Sequence, residues 1–191
     1  FGAIENNNLD MLYNFDLEHW GLEKKPDEST NDYFERLSTS AVSQSKNLCS
    51  WDLSLEGSAE LNTKSVVDED VYYFSFVTYA SSPKKNSAFH GPGSEMSLHL
   101  WPTSLLIGQH SDVPDSSWYE NDGVVNSVSM THPSESKVMR FSGNPMPGVW
   151  QVMKRLNMDH QAVIGHNASK KEREDLLVLY TKHCSLLHMV Q

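Results

Sequence analysis

Two short stretches of the chain carry residues whose types and neighbours suit acid–base chemistry. The first is Trp118-Tyr119-Glu120-Asn121-Asp122-Gly123-Val124-Val125-Asn126, where a carboxylate stands between an amide and a glycine and runs directly into apolar residues. Neighbouring backbone N–H groups can hold an acid in such a place at the end of a buried element. Asn-Asp-Gly is also a common turn tripeptide, and as a turn alone it would do no chemistry. The second stretch is Met158-Asp159-His160-Gln161, placed after an apolar run at 149–153 and before a long helical pattern. His160 is one of nine histidines, and a histidine on a surface loop is the plain alternative. In chain order Asp122 and His160 match the acid and base of a nucleophilic relay, in which the acid orients the imidazole and the imidazole takes a proton from a hydroxyl. The third member is not in the sequence: no G-x-S-x-G elbow occurs in the 191 residues.

The elements that must position these residues follow from patterning. Leu9 to Leu22 is aromatic-rich and stops at Gly21. Ser29, with Asp32 three residues on, has capping-box spacing and opens a short helix over 29–38. Residues 39–50 are rich in Ser, Thr and Asn and read as a loop, and a second helix is expected from Ser54 to Lys64. Val66 to Tyr79 contains VYYFSFVTY, dense in β-branched and aromatic residues, and predicts a central strand covered on both faces. Residues 81–95 are turn-formers and predict a loop, with His90-Gly91-Pro92-Gly93 as a plain turn. Leu98 to Gly108 is irregular or a short helix, and Val124 to Met130 is a strand or the first turns of a packed helix. Val149 to Met153 predicts the last strand. Lys170 to Val190 predicts the longest helix, burying Leu176, Leu179, Tyr180, Leu187 and Val190 on one face. The sum is an α/β chain with strands separated by helices and long loops.

Composition narrows the function classes. Charged residues make up 21% and the net charge is −10, with no basic stripe, so neither nucleic acid nor anionic lipid is an expected partner. Asp68, Glu69 and Asp70 read as a solvated acidic turn. No run reaches the roughly 18–20 apolar residues of a spanning helix. Cys49 and Cys184 could pair or could both be buried thiols. The chain begins Phe1-Gly2-Ala3, without Met, and reads as a piece of a longer protein.

A longer series of matches surrounds the two stretches. Tyr13-Asn14-Phe15-Asp16-Leu17-Glu18-His19-Trp20-Gly21-Leu22 resembles the Y-D-F-x-L-D-Q-W-G-L stretch of the large secreted bacterial lipases, the thermoalkalophilic bacillus and staphylococcal group. Glu28-Ser29 with Tyr33-Phe34-Glu35-Arg36-Leu37, Trp51-Asp52-Leu53-Ser54, Tyr72-Tyr73-Phe74-Ser75-Phe76, Glu120 through Met130, Gly148-Val149-Trp150 and Met158-Asp159-His160 follow in the same order. The resemblance spans about residues 10 to 180. It implies the C-terminal half of an α/β-hydrolase, a single partial domain over 1–191, with the elbow serine, most of the parallel sheet and the oxyanion donors upstream. Asp122 falls on the triad acid and His160 on the triad base. The implied activity is hydrolysis of a lipid or other ester at a lipid–water interface by a secreted enzyme. The helix at 29–38 resembles one that takes part in lid movement.

The metals of that family fare differently. The family's structural zinc takes two Asp and two His, and the one ligand position within this half falls on Asn47, a poor zinc ligand. Its calcium is held just after the histidine by a Glu and an Asp, which fall on Ala162 and Asn167. A backbone ligand near Ser94 or Glu95 would not make up for two lost carboxylates. No zinc, and weak or no calcium binding, is therefore expected. A non-catalytic remnant that binds lipid or protein is the alternative function; the degraded metal positions favour it and the intact Asp122 and His160 oppose it.

Overall fold

The computed structural model describes residues 17–133 and 135–190, with the side chains of residues 49 and 50 excepted. Most of the aromatic stretch at 9–22 lies outside these residues. The chain divides into two compact units, Phe1–Ser65 and Val66–Gln191.

The first unit is helical. Helix α1 (Thr30–Ser38) begins where its cap predicts, with the Asp32 N–H donating to Ser29 Oγ at 3.1 Å. Arg36 donates through Nε and a terminal nitrogen to the two oxygens of Glu28, at 2.7 and 2.8 Å, which ties the last turn back to the entry loop. The expected loop at 39–50 ends in a single turn, α2 (Cys49–Asp52), followed by α3 (Leu55–Asn62) capped by Ser54. A Cβ on Gly57 would lie 1.9 Å from the Trp51 carbonyl oxygen, so only glycine lets these two short helices approach.

The second unit holds the sheet. Its strands are β1 (Tyr73–Ser75), β2 (Thr78–Tyr79), β3 (Ser81–Pro83), β4 (His90–Pro92), β5 (Val138–Arg140), β6 (Trp150–Val152) and β7 (Leu156–Asn157). Parallel pairing joins β1 to β6, β5 to β6 and β2 to β7. The registers Ser75↔Val152 and Thr78↔Leu156 differ by one residue, so 150–157 carries one more residue than 73–79. That bulge breaks the strand expected over 66–79 into two pieces, and Asp68 to Asp70 stays in a solvent-exposed turn ahead of them. The expectation of a central strand is also corrected: among the described residues the sheet order is β1-β6-β5, with β6 in the middle and β1 at an edge.

Residues 81–95 are not all loop. β3 and β4 form an antiparallel hairpin, because the turn-formers are spent on 84–89, with the Lys84 N–H donating to Phe89 O at 2.8 Å and Asn86 at φ 56°. The segment after it becomes helix α4 (Trp101–Ile107), with Pro102 in the first turn, where its missing N–H costs nothing. Residues 124–130 are neither strand nor α-helix; they end in one 3-10 turn, Val128–Met130.

Helix α5 (Lys170–Met189) carries a full capping box between Ser169 and Glu172. Leu176 is buried as expected, but farther along the buried face is shifted: Leu186 is buried in place of Leu187, and Tyr180 is exposed. Leu176 packs with Met158 and Ala162, with Leu156, Val163 and Leu179 around them. Further along, the His183 ring meets the edges of Phe74 and Phe76 at 5.6 and 5.0 Å between centroids. Cys184 is a free, exposed thiol, not a buried one. Among the described residues no helix is long and apolar enough to cross a membrane.

Candidate functional site

Asp122 lies in the segment 120–127, which packs against the C-terminal end of β2, and His160 lies in the loop that leaves β7, the strand paired with β2. β2 leads through Ala80 and Ser81, whose N–H groups both donate to the Asn121 carbonyl at 3.0 Å. β7 ends two residues before Asp159. His160 Nδ1 lies 3.0 Å from Asp122 Oδ2, and the His160 N–H donates to the Asp122 carbonyl, also at 3.0 Å. The pair is thus tied by ring and by backbone.

The carboxylate of Asp122 is only 1% exposed. Burying it without partners would cost several kcal/mol by rough transfer scales, and four donors offset this, two from its own loop, one from β2 and one from His160. Oδ1 accepts from the N–H groups of Val124 and Val125 at 3.0 and 2.9 Å, closing a turn on the acid itself. Oδ2 accepts from Thr78 Oγ1 at 2.6 Å as well as from the imidazole. Since an ionised carboxylate only accepts, Nδ1 must carry the proton, which in the neutral ring leaves Nε2 with a lone pair. The His160 side chain is 45% exposed, so one end of the ring is buried against an acid while the remainder stays open.

Residues that sequence reasoning passed over build the rest of the site. Asn121 is fully buried; its amide donates to the carbonyls of Tyr119 and Ser104, and its oxygen accepts from the Gly123 N–H. Gly123 sits at φ +101°, and a Cβ there would lie 2.9 Å from Leu100 Cβ, so the Asn-Asp-Gly tripeptide is both a turn and the seat of a buried acid. His90, read as part of a plain turn, lies under this loop: Ser81 Oγ is 3.0 Å from His90 Nδ1 and accepts from the Asn121 N–H at 2.9 Å. Burial holds the His90 imidazole below its usual pKa, against a smaller upward pull from Glu120. Arg155 pairs with Glu120 and lies over the Tyr79 ring at 4.6 Å. A hydroxyl at the end of an apolar strand, Thr78, was the one signal in the sequence that could have been taken up.

The positions where the resemblance places the family's metal ligands hold Asn47, Ala162 and Asn167. Ala162 is buried and has no donor to offer, and Asn167 is an amide at φ 55°. The nearby carboxylate, Asp159, already accepts four hydrogen bonds. Asn47 lies in the first unit, its N–H donating to Ser45 Oγ. Among the described residues no group of three or more His, Cys, Asp or Glu is arranged to hold a metal ion.

The family described as "Lipase-like, C-terminal domain" matches residues 4–190. The chain is 32% identical over 172 residues to a lipase of Staphylococcus epidermidis, covering 88% of this chain and 24% of that protein. It is 30% identical to Lipase 1 of Staphylococcus aureus, covering 88% and 25%. Among solved structures it resembles Staphylococcus hyicus lipase, with a TM-score of 0.72, 28% identity and coverage of 96% of this chain and 47% of that one. It also resembles EstA from Clostridium botulinum, with a TM-score of 0.65, 34% identity and coverage of 85% and 41%. The chain therefore spans about a quarter of the length of the curated relatives it matches.

Proposed function

Because the chain belongs to the lipase-like C-terminal domain family, we propose that Asp122 and His160 are the acid and base of a Ser–Asp–His ester hydrolase built on an α/β-hydrolase fold. The serine would come from residues outside these 191, which contain no elbow motif. The observation that carries the reading is the double tie between the two residues, ring to carboxylate and backbone to backbone, with the far end of the ring left open.

In this mechanism Nε2 of His160 takes the proton of the serine hydroxyl as its oxygen attacks the ester carbonyl. The same nitrogen then returns the proton to the leaving alcohol. Water, activated in turn by Nε2, hydrolyses the acyl-enzyme. Asp122 stays a carboxylate throughout, fixing the tautomer and stabilising the imidazolium. The substrate class is a lipid or related ester met at a lipid–water interface, and the negative net charge suits neutral ester better than anionic lipid.

The test uses the full-length protein that carries this chain, assayed on short- and long-chain esters. Turnover is expected to fall roughly a thousandfold or more with His160→Ala. Equal turnover in the parent and that variant overturns the assignment. No inhibition by EDTA is expected, since neither zinc nor calcium has a fitting site at 47, 162 or 167; loss of activity that added calcium restores would refute that part.

A further inference from the structure

We infer that Asp159 is a positioning residue for His160, and that it acts by clamping the histidine loop to the segment 97–104, which also braces Asp122. The inference rests on the triad reading above and extends it to a residue that does not touch the substrate.

Asp159 is as buried as Asp122, at 1% exposure, and is built in the same way. Its Oδ1 accepts from the N–H groups two and three residues on, Gln161 at 3.0 Å and Ala162 at 2.8 Å, as Asp122 does from Val124 and Val125. Its Oδ2 accepts from a distant hydroxyl at 2.6 Å, Ser97 Oγ, as Asp122 does from Thr78. The fourth donor differs. At Asp122 it is the imidazole; at Asp159 it is the Ser97 backbone N–H at 2.9 Å. A second tie runs beside it, His99 Nε2 to Gln161 Oε1 at 2.9 Å.

The segment reached by this clamp also holds the acid. Leu100 fills the space over Gly123, Thr103 Oγ1 donates to the Gly123 carbonyl at 2.5 Å, and the Ser104 carbonyl accepts from the Asn121 amide. One rigid piece thus sets the position of both loops. His160 is the residue next to Asp159, so an error in the clamp moves the ring relative to Asp122. Such an error is costly, since displacing a catalytic group by about 1 Å can lower the rate roughly a hundredfold. The hydrogen bonds do this in a region whose neighbouring side chains, Ala162 and Asn167, offer no carboxylate to a metal.

In the full-length protein, Asp159→Asn places an NH2 group against donors on one side of the clamp. It is expected to lower kcat roughly ten- to hundredfold with KM changed less than about twofold. Ser97→Ala is expected to lower kcat by about fivefold, and Ser97→Thr, which keeps the hydroxyl, to restore most of it. Amide exchange at Gln161 and Ala162 should quicken in Asp159→Asn. If that variant keeps kcat within twofold while His160→Ala abolishes turnover, the clamp inference is wrong and the triad reading stands. If turnover survives His160→Ala, the triad reading fails. Unchanged protection at 161 and 162 in Asp159→Asn overturns the clamp whether or not the triad reading stands.

Discussion

The loops of Asp122 and His160 meet at two hydrogen bonds and are held by different means. The loop of Asp122 is enclosed: Asn121, Asp122 and Ser127 are all buried, and polar contacts reach it from β2, β3 and α4. The loop of His160 is open on one side. It is seated on α5 by Met158, Ala162 and Leu176, with Tyr180 Oη donating to the Val163 carbonyl at 2.6 Å. The difference fits the roles proposed for the two side chains. An acid that only orients a ring can be walled in, whereas a base that exchanges protons with substrate needs one accessible nitrogen.

Breaking the enclosed side has the largest expected effect. Asp122→Asn preserves the shape but puts an amide against the donors and favours the wrong tautomer, and kcat of the full-length protein on an ester is expected to drop by about 10⁴. A drop no greater than tenfold would mean that the carboxylate is not needed. Gly123→Ala should destabilise by about 1–3 kcal/mol from backbone strain at φ +101°, with the clash against Leu100 added. Urea unfolding measures this, and an unchanged midpoint would show that the loop yields easily.

Smaller changes sharpen the contrast. Thr78→Val keeps the volume and removes one donor to Asp122 Oδ2, which should lower kcat by about tenfold, the rate equivalent of one hydrogen bond to a charged group. The smallest effect concerns His90. Its folded pKa is lowered by burial, so the stability linked to its neutral form is present above the unfolded value of 6.5 and is lost as pH falls through the folded value. Parent protein should lose slightly more stability than His90→Gln on going from pH 7 to pH 5; equal losses would show that this imidazole is not linked to folding.

Local features were legible along the chain wherever neighbours in sequence decide the structure. Ser29 caps α1 where its spacing to Asp32 places it, and the helices expected from Ser54 and from Lys170 begin at Leu55 and Lys170. Leu176 was legible as a buried position of α5, but the burial of Leu186 in place of Leu187 was not, because only packing against the rest of the unit defines which side is inside. The hairpin at 81–92 was hidden by its own turn-formers.

By itself the sequence determined the family, the extents of α1, α3 and α5 to within a residue or two, and the two short motifs that hold Asp122 and His160. The tertiary structure alone decided which side chains surround them. Thr78 reaches Asp122 across 44 residues, and Ser97 reaches Asp159 across 62. Those pairings depend on a one-residue bulge between 73–79 and 150–157, and a register shift of that size turns every following side chain to the opposite face. Spacing along a chain can mark an acid or a base, but only the register of the sheet brings the distant hydroxyls that hold the acids in place.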